Sequence, residues 1–223
     1  MLIYLDTETT KFFADPEIAR LPRSQQIPAL AAHVGCAVTF DDAAGWRTWW
    51  PGDMAALWAS LRGRQIAGWN VVHFDVPLIQ QAAALAGVSD PGLDPWTALD
   101  LFAEIRTRTS RWYKLEEIAQ ANLGRGKSGD GQLASEWLRS DDPTLAQRAA
   151  DYCRLDVQLV IDLHQIASDL GLLLPARGKD TDPALYRFWI DATGARWQLA
   201  IDRGEILDGE DWTSREVRRG EGS

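Results

Sequence analysis

The sequence predicts a mixed α/β fold, on three observations. Short apolar runs of strand character crowd the first 70 residues, helical patterns with clear stop signals alternate with them, and the composition is that of an ordinary globular protein. At 223 residues, with 46% hydrophobic and 25% charged side chains, the chain can bury a substantial core.

Residues 1–9 mix polar and apolar positions as a buried strand does. A connection with Pro16, Pro22 and Pro28 follows and includes a helical piece over 24–32. Strands are expected over 33–40 and 46–50, with a turn at 41–45 between them. Pro51 and Gly52 lead into a helix ending near Gly63, and 65–69 reads as a short strand. A helix over 76–86 is closed by Gly87, a residue suited to the left-handed turn that ends helices. A strand over 95–99 and a helix over 115–123 precede a Gly-rich stretch at 124–131. The strongest helix starts after Asp141-Asp142-Pro143, a cap followed by a first-turn proline, and stops at Gly171. Beyond Pro175 the character changes, with a hairpin expected over 186–201, turning at Thr193-Gly194, and a polar tail from Asp202. The chain therefore divides into a domain at 1–175 and a C-terminal hairpin and tail at 176–223, packed on the same domain.

Composition narrows the function. No apolar run approaches the roughly 20 residues that span a bilayer, and the N-terminus has no basic and apolar leader, so a cytoplasmic location without membrane contact is expected. Cys36 and Cys153 are too few for a disulfide framework or a zinc cluster and read as small apolar fillers. The net charge of −9 argues against a high-affinity nucleic-acid binding module, though an enzyme that grips a few nucleotides is compatible with it.

Three segments hold the residues with chemical potential. Asp6 and Glu8 are two apart on a strand, so they project from the same side. Two carboxylates on one face of a buried strand repel, and a hard divalent cation resolves that repulsion; a strand end frayed into solvent is the alternative. Tyr152 and Asp156 are four apart on the strongest helix and stack one turn apart. Asp156 falls at the edge of the apolar stripe through Leu145, Ala149, Cys153, Val157, Val160 and Ala167, where a metal or a hydrogen-bonding neighbour would satisfy it. Asp75 follows Gly68-Trp69-Asn70-Val71-Val72-His73-Phe74 just ahead of Val76-Pro77, as either a functional acid or a helix N-cap.

Together, strand Asp-x-Glu, then Asn-xxx-Phe-Asp, then Tyr-xxx-Asp on a late helix, resemble the DEDD superfamily of 3′→5′ exonucleases in its tyrosine (DEDDy) subtype. The motifs occur in that family's order across residues 6–156. The resemblance implies a ribonuclease H-like (DnaQ-like exonuclease) fold, a mixed central sheet flanked by helices. Leu123 to Gly131, with Tyr152 to Val157, is further similar to predicted exonuclease domains associated with bacterial helicases, so a helicase or another nucleic-acid-processing protein is an expected partner. The chain itself shows no helicase motif, and Gly124 to Ser128 lacks the spacing of a phosphate-binding loop.

By that resemblance, Asp6, Glu8, Asp75 and Asp156 hold two divalent ions, Mg²⁺ or Mn²⁺. Asp6 bridges them, Glu8 and Asp156 complete the nucleophile side, and Asp75 serves the other. Tyr152 orients the attacking water, since an ordinary tyrosine pKa near 10 makes it a poor base at neutral pH. The implied substrate is the 3′ end of single-stranded DNA or RNA, and the product a nucleoside 5′-monophosphate. Thr7 and Thr9 would meet the terminal nucleotide, Asn70 and Phe74 would shape the groove, and Lys127 would touch phosphate. Among eleven tryptophans, Trp49, Trp50, Trp69 and Trp112 are candidates for stacking on bases, while Trp58 and Trp137 sit in helices. A catalytically idle partner module and a ribonuclease H-type endonuclease are the competing readings.

Overall fold

The computed structural model describes residues 1–89, 98–103, 106, 112–126, 131–170, 184–190 and 197–203; for 131, 167–170 and the last two segments the backbone alone is described. Its centre is a five-stranded sheet in the order β3-β2-β1-β4-β5. β1 (Leu2–Thr9), β2 (Val34–Asp41) and β3 (Gly45–Trp49) form an antiparallel meander, and β4 (Gln65–Gly68) and β5 (Ala98–Asp100) continue from β1 in parallel. A mixed sheet flanked by helices is the expected architecture.

β1 shows why its period matters. Ile3, Leu5, Thr7 and Thr9 are buried on one face, while Leu2, Tyr4, Asp6 and Glu8 alternate on the other. The first face packs on α2 (Arg23–Ala31), α3 (Met54–Leu61) and α4 (Asp75–Leu85) through Leu30, Leu57, Trp58, Leu78 and Ile79. Each such side chain, fully buried, contributes roughly 1.5–3 kcal/mol. The second face packs on α5 (Leu115–Leu123) and α7 (Pro143–Leu170), where Leu159, Val160 and Leu163 meet β4 and β5, and Cys153 and Val157 meet β2. The short helix α1 (Pro16–Ala19) closes the connection after β1, and α6 (Gly131–Leu138) lies against α7 through Ala134, Ala149 and Tyr152.

Local signals set the boundaries. Asp142 caps α7, its carboxylate accepting from the Thr144 N–H at 2.8 Å and the Thr144 hydroxyl at 2.7 Å. Gly124 ends α5 at φ +67°. The α7 stripe is broader than the periodicity suggests, with Ala150, Leu159 and Leu163 buried beside Ala149, Cys153 and Val157, while Leu145 is half-buried. Asp156 is 3% exposed, so it sits within that face and not at its edge. The reason is that α7 packs on β1, β2 and α6 together, so its covered surface is wider than a single stripe.

The strand expected at 95–99 is described from Ala98; Pro95 lies outside the described residues. The C-terminal hairpin pairs β6 (Ala184–Ile190) with β7 (Trp197–Arg203), and its turn at Thr193-Gly194 lies outside them. No helix among the described residues is long and apolar enough to cross a membrane.

Candidate active site

The site forms at the carboxyl end of β1. Alternation puts Asp6 and Glu8 on the α7 face, and α7 brings Asp156 to meet them. One carboxylate oxygen from each of the three lies within 4.8 Å of the others. Such crowding of like charge is costly in a partly buried setting. The donors are all hard oxygens from two rigid elements, the set that Mg²⁺ or Mn²⁺ prefers. Tyr152 is 7% exposed and lies one turn before Asp156, packed against Ala134 and Ala149.

The sheet is irregular at this point. Pairing between β1 and β2 shifts between Glu8, opposite Cys36, and Thr9, opposite Val34, leaving Gly35 as the extra residue of a bulge. A Cβ on Gly35 would come within 2.5 Å of Leu138 Cδ1, so the glycine admits α6 to this end of the sheet. Ser135 of α6 donates its hydroxyl to the Thr9 carbonyl. The thiol of Cys153 donates to Asp6 at its main-chain oxygen and at Oδ2, both at 3.2 Å. Burial, with Cys36 and Asp6 close by, pushes that thiol well above the ordinary range, so it stays a donor. Cys153 is thus more than filler.

Asp75 is placed differently. It is the first residue of α4 and does not cap it; its carboxylate accepts the Thr7 hydroxyl at 2.6 Å on the opposite face of β1 from Asp6 and Glu8. Burial raises its pKa to about 7, the Thr7 bond opposing and the Asp100 charge adding to the rise. Among the described residues the acid cluster comprises Asp6, Glu8 and Asp156, and Asp75 stands outside it.

The loop that delivers Asp75 is held by Asp100. That buried carboxylate accepts the N–H groups of Asn70 and Val72 at 2.9 Å each and of Ala103 at 3.0 Å. Burial raises the Asp100 pKa against those three donors. Asn70 adopts φ +64°, a conformation asparagine tolerates better than most residues, and its carbonyl accepts from His73 and Phe74. Gly68, before this loop, runs so close to β1 that a Cβ would lie 2.8 Å from the Leu5 carbonyl oxygen.

The remaining sequence candidates have distinct fates. Thr7 is occupied with Asp75, and the Thr9 hydroxyl donates to the Lys11 carbonyl at 2.6 Å. Half-buried Phe74 meets Phe13 edge-on at 5.8 Å, and Asn70 serves the loop through its backbone. Lys127 lies outside the described residues. Asp100, Ser135 and the Cys153 contact are additions. Only Cys153, between Tyr152 and Asp156, had a positional signal.

Comparison with known proteins bears on this geometry. No curated protein matches the chain. Among solved structures, the family B DNA polymerase from the hyperthermophilic archaeon Pyrobaculum calidifontis superposes with a TM-score of 0.51 at 14% identity, over 74% of this chain and 24% of the polymerase. The chain thus spans about a quarter of that protein's length, and the likeness is one of fold. The RNase_H_2 family model matches residues 51–168, more than half of the sequence, taking in Asp75, Tyr152 and Asp156 and beginning after β1. With its mixed five-stranded sheet and helices on both faces, the chain belongs to the RNase_H superfamily.

Proposed function

We propose that this protein is a metal-dependent 3′→5′ exonuclease that hydrolyses the terminal phosphodiester of single-stranded nucleic acid and releases nucleoside 5′-monophosphates. The observation that carries it is the convergence of Asp6, Glu8 and Asp156 within 4.8 Å, from the central strand and the longest helix. Their oxygens suit Mg²⁺ or Mn²⁺. Such ions, two in this reading, would supply charge neutralisation on the phosphodiester and acidification of water.

The chain's own groups do the rest. The Cys153 thiol steadies Asp6, which with Glu8 and Asp156 would hold the ions. Asp75, outside that cluster and accepting from Thr7, is assigned by the resemblance to complete the metal-holding acids. Tyr152 is assigned to orient the attacking water through its hydroxyl, one helical turn from Asp156. Thr9, Asn70, Phe74 and Lys127 are assigned to the substrate groove. Residues 1–175 form the catalytic unit in this reading, with 176–223 as an accessory segment, a cytoplasmic setting and a helicase-type partner.

A digest of 5′-labelled single-stranded DNA and RNA with Mg²⁺, Mn²⁺ or EDTA tests it. A metal-dependent ladder shortening from the 3′ end, lost in Asp6→Ala, is the expected result. Cleavage of a circular strand would mean an endonuclease instead. No cleavage under any metal would leave an inactive partner module.

A further inference from the structure

Trp112 is 59% exposed, an uncommon position for so large an apolar side chain. It rests on Phe102, which is 3% exposed, with ring centroids 5.1 Å apart; Phe102 in turn meets Trp69 at 5.8 Å. The Arg106 guanidinium lies 4.0 Å from the Trp112 ring centroid. Other tryptophans are engaged structurally: Trp58 is buried, Trp137 packs between α6 and α7, and Trp49 donates to Thr39.

The row of rings adjoins the acid cluster. β4 runs parallel to β1 with Ala67 opposite Tyr4, so Trp69, two residues on, leaves the sheet at the end of β1 where Asp6 and Glu8 lie. Phe102 follows β5 at that same end, two residues past Asp100. Trp69 also packs on the cluster that α7 makes with β4 and β5, the side from which Asp156 comes. Neighbouring strands are only about 4.8 Å apart, so the row begins one strand away from the carboxylates.

We propose that Trp112, backed by Phe102 and Trp69 and with Arg106 over one side of its ring, is through its exposed surface a stacking platform for unpaired nucleobases of the strand entering the acidic site. It rests on the nuclease reading above and specifies the form of substrate. Every base offers a π-face, and only an unpaired strand can present it to an exposed indole. Arg106 supplies a cation for the adjoining phosphate in a chain whose net charge is −9.

Binding of a labelled oligo-dT and of an abasic strand of equal length, followed by fluorescence anisotropy at low salt in EDTA, separates base stacking from phosphate contact. Trp112→Ala should weaken oligo-dT binding about tenfold, the order expected for one lost base stack, and leave the abasic strand unaffected. Trp112→Phe should restore most of the affinity, and Arg106→Ala should weaken both strands alike. Wild-type affinity in Trp112→Ala, equal loss for both strands, or no binding of oligo-dT by the wild type would overturn the platform. The digest is read separately: stacking without hydrolysis would sink the nuclease reading alone, and hydrolysis with an indifferent Trp112 would sink the platform alone.

Discussion

Three carboxylates held within 4.8 Å by a strand and a helix store repulsion that the proposed chemistry requires and stability does not. Asp156→Asn removes one of those charges from a site that is 3% exposed. In EDTA the variant should melt about 2–4 °C higher than wild type, roughly 1 kcal/mol for a chain of this size, while nuclease activity disappears. Calorimetry beside the digest checks both halves; an unchanged or lower melting point would mean the acids are already balanced by the fold. Tyr152→Phe keeps the ring and removes only the hydroxyl. Its kcat should drop about 10–100-fold with Mn²⁺ affinity unchanged, because the proposed water orientation would be lost and the acids are not touched. At this scale the site was partly legible in the sequence. The period of two that pairs Asp6 with Glu8 and the period of four that pairs Tyr152 with Asp156 are local rules. The Thr7–Asp75 bond and the Asn70 and Val72 N–H groups on Asp100 join residues 28 to 68 positions apart, and no periodicity reports them.

Elements carry a different signal. β1, α5 and α7 were legible because each has its own pattern and stop: alternation to Thr9, Gly124 at the end of α5, and Asp142-Pro143 at the start of α7. How α7 sits on the sheet was not legible, and it decides the environment of His164. The Tyr4 hydroxyl of β1 shares a hydrogen bond with Nδ1 of His164, and burial lowers the pKa of that imidazole from 6.5 to about 4. Burial also pushes the Tyr4 phenol well up, the charge of Asp42 adding to it, so it stays protonated. As pH falls through 6.5 the unfolded chain takes up a proton that the folded chain refuses until about 4. Stability from this pair is therefore complete above 6.5 and declines between 6.5 and 4, by on the order of 2–4 kcal/mol. Urea unfolding at pH 7, 5.5 and 4.5 should show a steeper decline for wild type than for His164→Gln. Parallel pH profiles would mean that His164 is solvated as readily folded as unfolded.

For the whole molecule, charge is the dominant property. A net charge of −9 repels polyanions, so the proposed substrate would be won at the acid site and beside it, and divalent cations should matter to the fold as well as to the proposed chemistry. Cations that bind the folded chain alone raise its stability by mass action, about 2.7 kcal/mol at a hundredfold excess over Kd. Mn²⁺ should raise the melting temperature of wild type by several degrees and leave Asp6→Ala unmoved; an equal rise in both would place the ion elsewhere.

The acids that meet at the end of β1 come from far apart in the sequence, Asp6 in β1 and Asp156 in α7. A ribosome adding roughly 5–20 residues per second exposes Asp6 and Glu8 many seconds before α7 exists. Until α7 docks, the nascent chain has Asp6 and Glu8 without Asp156 beside them, so the acid cluster does not yet exist. A fragment truncated before α7 would lack the cluster too, so the proposed chemistry would wait for the finished fold.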